Sequence, residues 1–497
     1  MIPGAGSPVD MAYAKLQQGQ AEQALRIIEP WARKPDATHA VLAAYAAVLK
    51  SMSRLEDSLD VSRVATRRFP TSGVAWHNYG STLADLGRHA ETKKAIDRAF
   101  SAGLDASETW LVYARAHQSL LDLEGAEKAF RKALQKRPDY VEAARDLAQL
   151  VWMRTEDADA AARVFDDAAW SPAMAFQKAR LLKFAGLPDR ALQVIEEAVP
   201  RAPHDSGLVL TASQLASDAG KFDRGLAYAG EALRRNSRDY NTIENWAGAN
   251  LAVGNYAEAL KAARHIVAMQ PLNQSGIAVL ATAARLGGGE EYEELYDYDT
   301  FVRPGIIEAP DGWASREAFL TDLSAALTRL HVLKTHPLEQ SLRHGTQTTQ
   351  DLRVSDEPAV QAFFRAIEPI VNSYMDAIGD GAGPLRQRNS HRYGLAGAWS
   401  VRLRPHGFHV DHIHPEGWLS SAFYVETPKS ALDSADREGW IKFGAPGLPM
   451  ADLPDPAHFV RPEPGKLVLF PSYMWHGTVP FTTDESRMTI AFDIIPA

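Results

Sequence analysis

The chain divides into two stretches with different hydrophobic rhythms. From about residue 10 to 285, apolar residues recur at helical spacing, broken at glycines and closed by proline. Aligning on the closing residue gives Pro35, Pro70, Leu104, Pro138, Pro172, Pro203, Ser237 and Pro271, with steps of 35, 34, 34, 34, 31, 34 and 34. Trp76 and Trp110 keep the register, as do Gly186, Gly220 and Gly254, each followed two residues on by Pro188, Phe222 and Tyr256. Each unit predicts a helix, a glycine break, a second helix and a proline stop, because proline lacks an amide donor and clashes with the preceding turn. Small residues such as Ala257 and Ala259 are expected where the two helices approach closely. From about residue 394 the rhythm changes to short alternating runs. Strands are predicted at Ala396–Leu403, His409–His414, Leu419–Glu426, Trp440–Phe443, Lys466–Pro471, Gly477–Phe481 and Arg487–Ile494. Between the two stretches, residues 290–310 read as a loop-rich join. Helices are predicted over Ser315–Arg329 and Glu357–Ile378, with a polar, turn-rich segment at His336–Thr349.

A 34-residue step kept this often resembles the tetratricopeptide repeat family, over about eight units. The resemblance implies a helix-pair solenoid whose concave face binds a protein or an extended peptide. A plain spacer, or a scaffold for a homodimer, is the alternative. The strands predict an antiparallel sandwich or barrel, a jelly roll with a ligand site at its mouth. The expected fold class is multidomain α + β: residues 1–287 an all-α solenoid, 288–335 a connecting segment, 336–497 a jelly roll with flanking helices.

Charge separates the same two parts. Residues 1–287 hold 35 basic and 33 acidic side chains, residues 288–497 hold 18 and 29, and 10 of the 16 histidines lie in the second part. An acidic half is a poor phosphate-binding surface, so nucleic acid is not expected as a partner. With no apolar run of membrane-spanning length and no basic-then-apolar start, neither a membrane span nor a secretory signal is expected, and a cytoplasmic setting is. The absence of cysteine excludes disulfides, thiolate metal sites and a cysteine nucleophile, leaving histidine and carboxylates to hold any metal.

His406, His409, Asp411, His412 and His414 crowd into nine residues. On an extended strand His412 and His414 share one face, and Asp411 points to the other. Two side chains on one face can grip a metal if a third arrives from elsewhere. His476, 64 residues after His412, supplies one. Arg487 follows it, opening the run R-M-T-I-A-F-D-I. A buried arginine there calls for an anion held bidentately, with an ion pair to Asp484 or Glu485 as the plainer reading. His406 and His409 read as surface or turn residues. Trp399, Trp418, Trp440 and Trp475 read as core or pocket wall.

Two neighbouring histidines, a distant third and an arginine after it resemble the iron(II)- and 2-oxoglutarate-dependent oxygenases, which are built on a double-stranded β-helix. The resemblance is closest to a branch whose core reads Gly-Phe-Asn-x-x-His-x-His-Pro, then Ser-Gly-x-Tyr-Tyr. The matching text here is Gly407-Phe-His-Val-Asp-His412-Ile-His414-Pro and Ser420-Ser-Ala-Phe-Tyr424, and Gln340 to Thr348 resembles that branch's helical lead-in. It implies His412, His414 and His476 as ligands to Fe(II), with Asp411 as the alternative second ligand because the wider superfamily uses His-x-Asp or His-x-Glu. It also implies 2-oxoglutarate as co-substrate, its far carboxylate on Arg487 with Thr489 or Tyr424 beside it, and O2 as oxidant. The expected activity is hydroxylation of a C–H bond on a protein or peptide recruited by the repeats. The rivals are a small-molecule oxygenase whose repeats oligomerise it, an inactive scaffold, and a cupin-like metalloenzyme needing no 2-oxoglutarate.

Overall fold

The computed structural model describes residues 6–432 and 434–497, which form two compact units parting between Leu150 and Val151. The first unit holds the helix pairs Pro8–Gln17 with Ala21–Ala32, His39–Ser51 with Leu55–Arg68, Gly73–Asp85 with His89–Ser101, and Ser107–Ser119 with Leu123–Lys136. Val141–Thr155 and Ala158–Asp166 carry the chain past the division. The second unit continues with Pro172–Phe184 and Pro188–Ala198, Ser206–Asp218 and Phe222–Arg235, Tyr240–Ala252 and Tyr256–Met269, then the single helix Gln274–Gly287.

The glycine breaks have a backbone cause. Gly186, Gly220 and Gly254 have φ of 80°, 70° and 79°, the left-handed conformation that ends a helix and turns the chain into the next. The corresponding turns in other units use Ser53, Leu121 and Glu156 at φ near 60°, costing about 1 kcal/mol each relative to glycine. Two details differ from the sequence reading. Pro172 opens a helix instead of closing one: it sits at the first helical position, where its missing N–H is no loss, and Ser171 Oγ caps the turn by accepting from Met174 N at 3.1 Å. Ala259 is fully buried between helices, but Ala257 is exposed.

After Gly287 the join is not a loop. Helices Glu291–Leu295 and Tyr298–Phe301 lead into strand β1 (Arg303–Ile306). Helix Arg316–Thr328 then precedes β2 (Leu342–Gln347), which occupies the segment expected to be turn-rich or a helical lead-in. The polarity of Leu342–Gln347 hid a strand that pairs with the next one along one side only. Helix Pro358–Ile378 is followed by β3 (Tyr393–His409), β4 (Leu419–Glu426), β5 (Ile441–Phe443), β6 (His458–Val460), β7 (Lys466–Pro471), β8 (His476–Thr478) and β9 (Arg487–Pro496). These make a six-stranded antiparallel sheet, β1-β7-β4-β9-β3-β2, and a three-stranded one, β6-β5-β8, in the jelly-roll manner.

The predicted strand His409–His414 is not formed. β3 ends at His409, and beyond it only His412 makes a bridge, to His476. Pro415 and the following turn end pairing there. Within the second unit one apolar core runs from the last repeats, through Ile277, Leu280 and Ala284, into Phe363, Phe423, Phe470 and Phe492 of the sheets and their covering helix. Trp475 fastens this seam: its indole N–H donates to Thr282 Oγ1 at 3.0 Å, and its backbone N–H to Tyr296 Oη at 2.9 Å.

Candidate metal centre and co-substrate pocket

β9 sets the site by alternation. Met488, Ile490, Phe492 and Ile494 are fully buried on its core face, and Arg487, Thr489, Ala491 and Asp493 line a cleft of about 800 Å³ on the other. Trp399 and Val401 of β3 and His476, Gly477 and Thr478 of β8 share that cleft, as do residues 409–416.

His412 and His476 are tied backbone to backbone: His412 N–H donates to His476 O at 2.9 Å, and His476 N–H to His412 O at 3.0 Å. His414 N–H donates to Ser472 O at 3.0 Å. Both histidines of the irregular segment are therefore anchored to the chain that carries the third. The ligand-capable atoms of His412, His414 and His476 lie within 4.8 Å of one another.

Their tautomers follow from their partners. His412 Nδ1 lies 2.8 Å from Val410 O and His476 Nδ1 lies 2.9 Å from Met474 O. His414 Nδ1 lies 2.6 Å from Asp493 Oδ1. Carbonyls and carboxylates only accept, so each Nδ1 carries a proton and Nε2 is the nitrogen left to face a metal. His414 Nε2 lies 3.2 Å from His412 Nε2, a contact that a cation or a proton between the two nitrogens would make favourable. Burial, with the neighbouring imidazoles adding to it, pushes His412 down to about 3 and holds His476 well below the usual histidine range. Three imidazoles so arranged could hold a metal ion, with their outer hydrogen bonds already made.

Asp411 stands apart from this cluster. Its Oδ2 pairs with Lys442 Nζ at 2.7 Å, and burial raises its pKa even though Lys442 opposes the shift. His406 is exposed, at φ 63°. His409 is not a surface residue: its Nδ1 lies 2.8 Å from Ser341 Oγ, its ring stacks on His412, and it lines the cleft outside the three-histidine group. Trp399 stacks on His414 and Trp418 is core, its indole N–H donating to Leu385 O at 2.9 Å. Trp475 lines the cleft, and Trp440 is half-buried.

Arg487 is 2% exposed, and among the described residues no carboxylate pairs with it. Its Nε is buried without a hydrogen-bond partner. Glu485 accepts instead from Lys429 N–H at 2.8 Å. The Arg487 guanidinium lies over the Tyr424 ring at 5.0 Å, and Tyr424 is itself buried beside it. Thr489 stands opposite Tyr424 in the sheet register and lines the cleft. A buried guanidinium without a carboxylate partner is costly, and an anion beside it would offset that cost.

Sequence reasoning missed Asp493, which also accepts from Ser420 Oγ at 3.0 Å. It was readable: R-M-T-I-A-F-D-I alternates strictly, so the face holding Arg487 and Thr489 must also hold Asp493. Lys442 and Arg343, on β5 and β2, carried no such signal.

Fold and site together define a tetratricopeptide-like helical array joined to a jelly-roll domain. Residues 397–493 match the profile of a family described as "Putative 2OG-Fe(II) oxygenase", so the C-terminal region is similar to domains of that type. No curated protein matches the chain. Solved structures similar to it include a tetratricopeptide repeat protein from Parabacteroides merdae, 17% identical, covering 49% of this chain and 98% of its own, with a TM-score of 0.35. Another is the C-terminal part of a TPR repeat-containing protein from Cytophaga hutchinsonii, 12% identical, covering 48% and 99%, with a TM-score of 0.36. MamA from Desulfovibrio magneticus RS-1 is 18% identical, covering 33% and 94%, with a TM-score of 0.29.

Proposed function

We propose that this chain is an iron(II)- and 2-oxoglutarate-dependent dioxygenase that hydroxylates a C–H bond of a protein or peptide held by its repeat array. In this reading residues 1–287 are the array, 288–335 the connector and 336–497 the oxygenase. The observation that carries it is the presence, in one cleft, of three imidazoles whose ligand-capable atoms converge and a buried guanidinium with no carboxylate partner among the described residues.

His412, His414 and His476 are the metal ligands. Three neutral donors on one side leave positions open, a set that suits iron(II). Bound iron(II) with 2-oxoglutarate and O2 supplies the oxidising power, converting the oxo acid to succinate and carbon dioxide as a substrate hydrogen is replaced by hydroxyl. Asp493 keeps the proton on His414 Nδ1 and so keeps Nε2 free for the metal. Arg487 holds the far carboxylate of 2-oxoglutarate, with Thr489 and Tyr424 as its side walls. Phe470 and Trp475 keep water from the inner cleft. The repeat helices supply Lys183, Phe184, Asp218 and Ser275 to the wall of the same cleft, which supports a substrate held by both parts.

The test is full-length protein loaded with iron(II), incubated with 2-oxoglutarate and a peptide library. Succinate should form and a peptide should gain one oxygen. His476→Ala should lose metal and succinate together. Iron-loaded protein that binds no 2-oxoglutarate refutes the reading. Succinate driven by free amino acids but by no peptide refutes its substrate half.

A further inference from the structure

The cleft is large for one small co-substrate, and its charges can be paired off. Asp218 pairs with Lys183 at 2.7 Å, Glu339 with Arg180 at 2.6 Å, and Asp411 with Lys442 at 2.7 Å. Asp493 is taken by His414 at 2.6 Å. Glu416, the remaining lining carboxylate, is exposed to solvent. Setting Arg487 aside for 2-oxoglutarate, one lining cation is left: Arg343, on β2, has no carboxylate partner among the described residues.

Its guanidinium is partly committed. Nη1 donates to Gln340 O at 2.9 Å and to Leu342 O at 2.8 Å, which uses both of its protons and fixes the plane of the group. No hydrogen bond within the described protein engages the opposite edge, Nε–H with Nη2–H. That edge is the fork that grips a carboxylate through two parallel hydrogen bonds.

We propose that Arg343 is a specificity residue that takes a substrate carboxylate, so that the peptide oxidised at this centre carries an acidic side chain close to the hydroxylated residue. The inference rests on the oxygenase reading above and names its substrate class. A carboxylate could also come from a peptide C-terminus or from a free amino acid. The wall of repeat helices favours a side chain within a chain.

The test uses the full-length protein, its Arg343→Gln and Arg343→Lys variants, and four probes: peptide pools containing Asp or Glu, matched pools with Asn or Gln, the same pools with amidated C-termini, and free amino acids. Wild type should hydroxylate acidic pools and not amide pools, whatever the C-terminus. Arg343→Gln should lose about tenfold to a hundredfold in kcat/KM on acidic pools, the span of charge-assisted hydrogen bonds, and Arg343→Lys should keep part of it. Affinity for 2-oxoglutarate, measured by calorimetry with Mn(II) in the metal site, should stay the same in both variants and report their folding. Equal turnover of acid and amide pools overturns the proposal, as does dependence on a free C-terminus or a preference for free amino acids. A comparable loss of 2-oxoglutarate affinity in Arg343→Gln overturns it too, since Arg343 would then serve the co-substrate. All of these leave the oxygenase reading standing, whereas wild type that binds no 2-oxoglutarate with Mn(II) present removes both.

Discussion

Replacing Arg487 by methionine should weaken co-substrate binding and leave the ligand-free fold as stable as before or more so. The two effects have opposite signs because they come from different states. In the free protein the guanidinium is 2% exposed, has no carboxylate partner among the described residues, and leaves Nε without a hydrogen bond. Burying an ion in that way costs several kcal/mol. Its compensation within the chain is Tyr424, whose ring lies 5.0 Å away, a contact worth about 2 kcal/mol or more when desolvated. Methionine nearly fills the same volume without the charge, so Arg487→Met is expected to stabilise the free protein by about 0 to 3 kcal/mol.

Binding runs the other way. A buried, hydrogen-bonded charge pair cut at one partner costs about 2–5 kcal/mol, which is about 30-fold to a few thousandfold in Kd. The assays are thermal unfolding of metal-free protein and calorimetric titration of 2-oxoglutarate with Mn(II) bound. A fall in unfolding temperature matching a loss of 3 kcal/mol or more would mean that Arg487 has internal partners and is structural. An unchanged 2-oxoglutarate affinity would mean that the anion is held elsewhere. Either result ends the argument for this anchor.

Three other perturbations probe the scaffold. Asp411→Asn should leave the metal affinity unchanged, because that carboxylate is committed to Lys442, and should cost about 2–3 kcal/mol by stranding a partly buried ammonium; loss of metal in a titration would make Asp411 a ligand after all. Gly447→Ala should damage the site without touching a histidine: an added Cβ would lie 1.9 Å from Asp411 O, so the ligand segment must shift, at a cost of about 1–3 kcal/mol visible in chemical denaturation and in weakened metal uptake. Acid should loosen the metal-free fold early. Burial pushes His331 and His336 down to about 4 from 6.5. The unfolded chain therefore takes up their protons first, and the stability is complete above about pH 6.5 and lost as the pH falls toward about 4. A flat unfolding temperature across that window would contradict it.

How much of this was legible in the sequence depended on whether a period or a tertiary contact fixed each feature. The repeat was legible because Gly186, Gly220 and Gly254 mark one backbone turn at a constant interval. Arg487, Thr489 and Asp493 were all readable from one alternating strand, although Asp493 was overlooked. β2 was not readable, since Arg343, His344 and Gln347 give it no apolar face and only its pairing to β3 defines it. His409–His414 misled in the opposite sense: a strand rule put His412 and His414 together, and they do converge, but through bonds to residues 472–476 and not through strand alternation. The pairing of Asp411 with Lys442, distant in sequence, lay beyond any local pattern.

That last difference bears on how the centre would work. A ligand pair set by strand alternation would be as stable as its strand, but one outside the ladder needs its own fixing. Here the fixing is reciprocal. His412 and His476 exchange backbone hydrogen bonds, Ser472 holds the backbone of His414, and each imidazole is oriented by an acceptor on Nδ1. The three Nε2 atoms are therefore placed before any cation arrives, and a metal need not order them at its own expense. Binding free energy should then appear almost undiminished as stabilisation of the fold, rising with the logarithm of metal concentration. The backbone pairing, more than the histidine count, is what would make residues so far apart in sequence act as a single site.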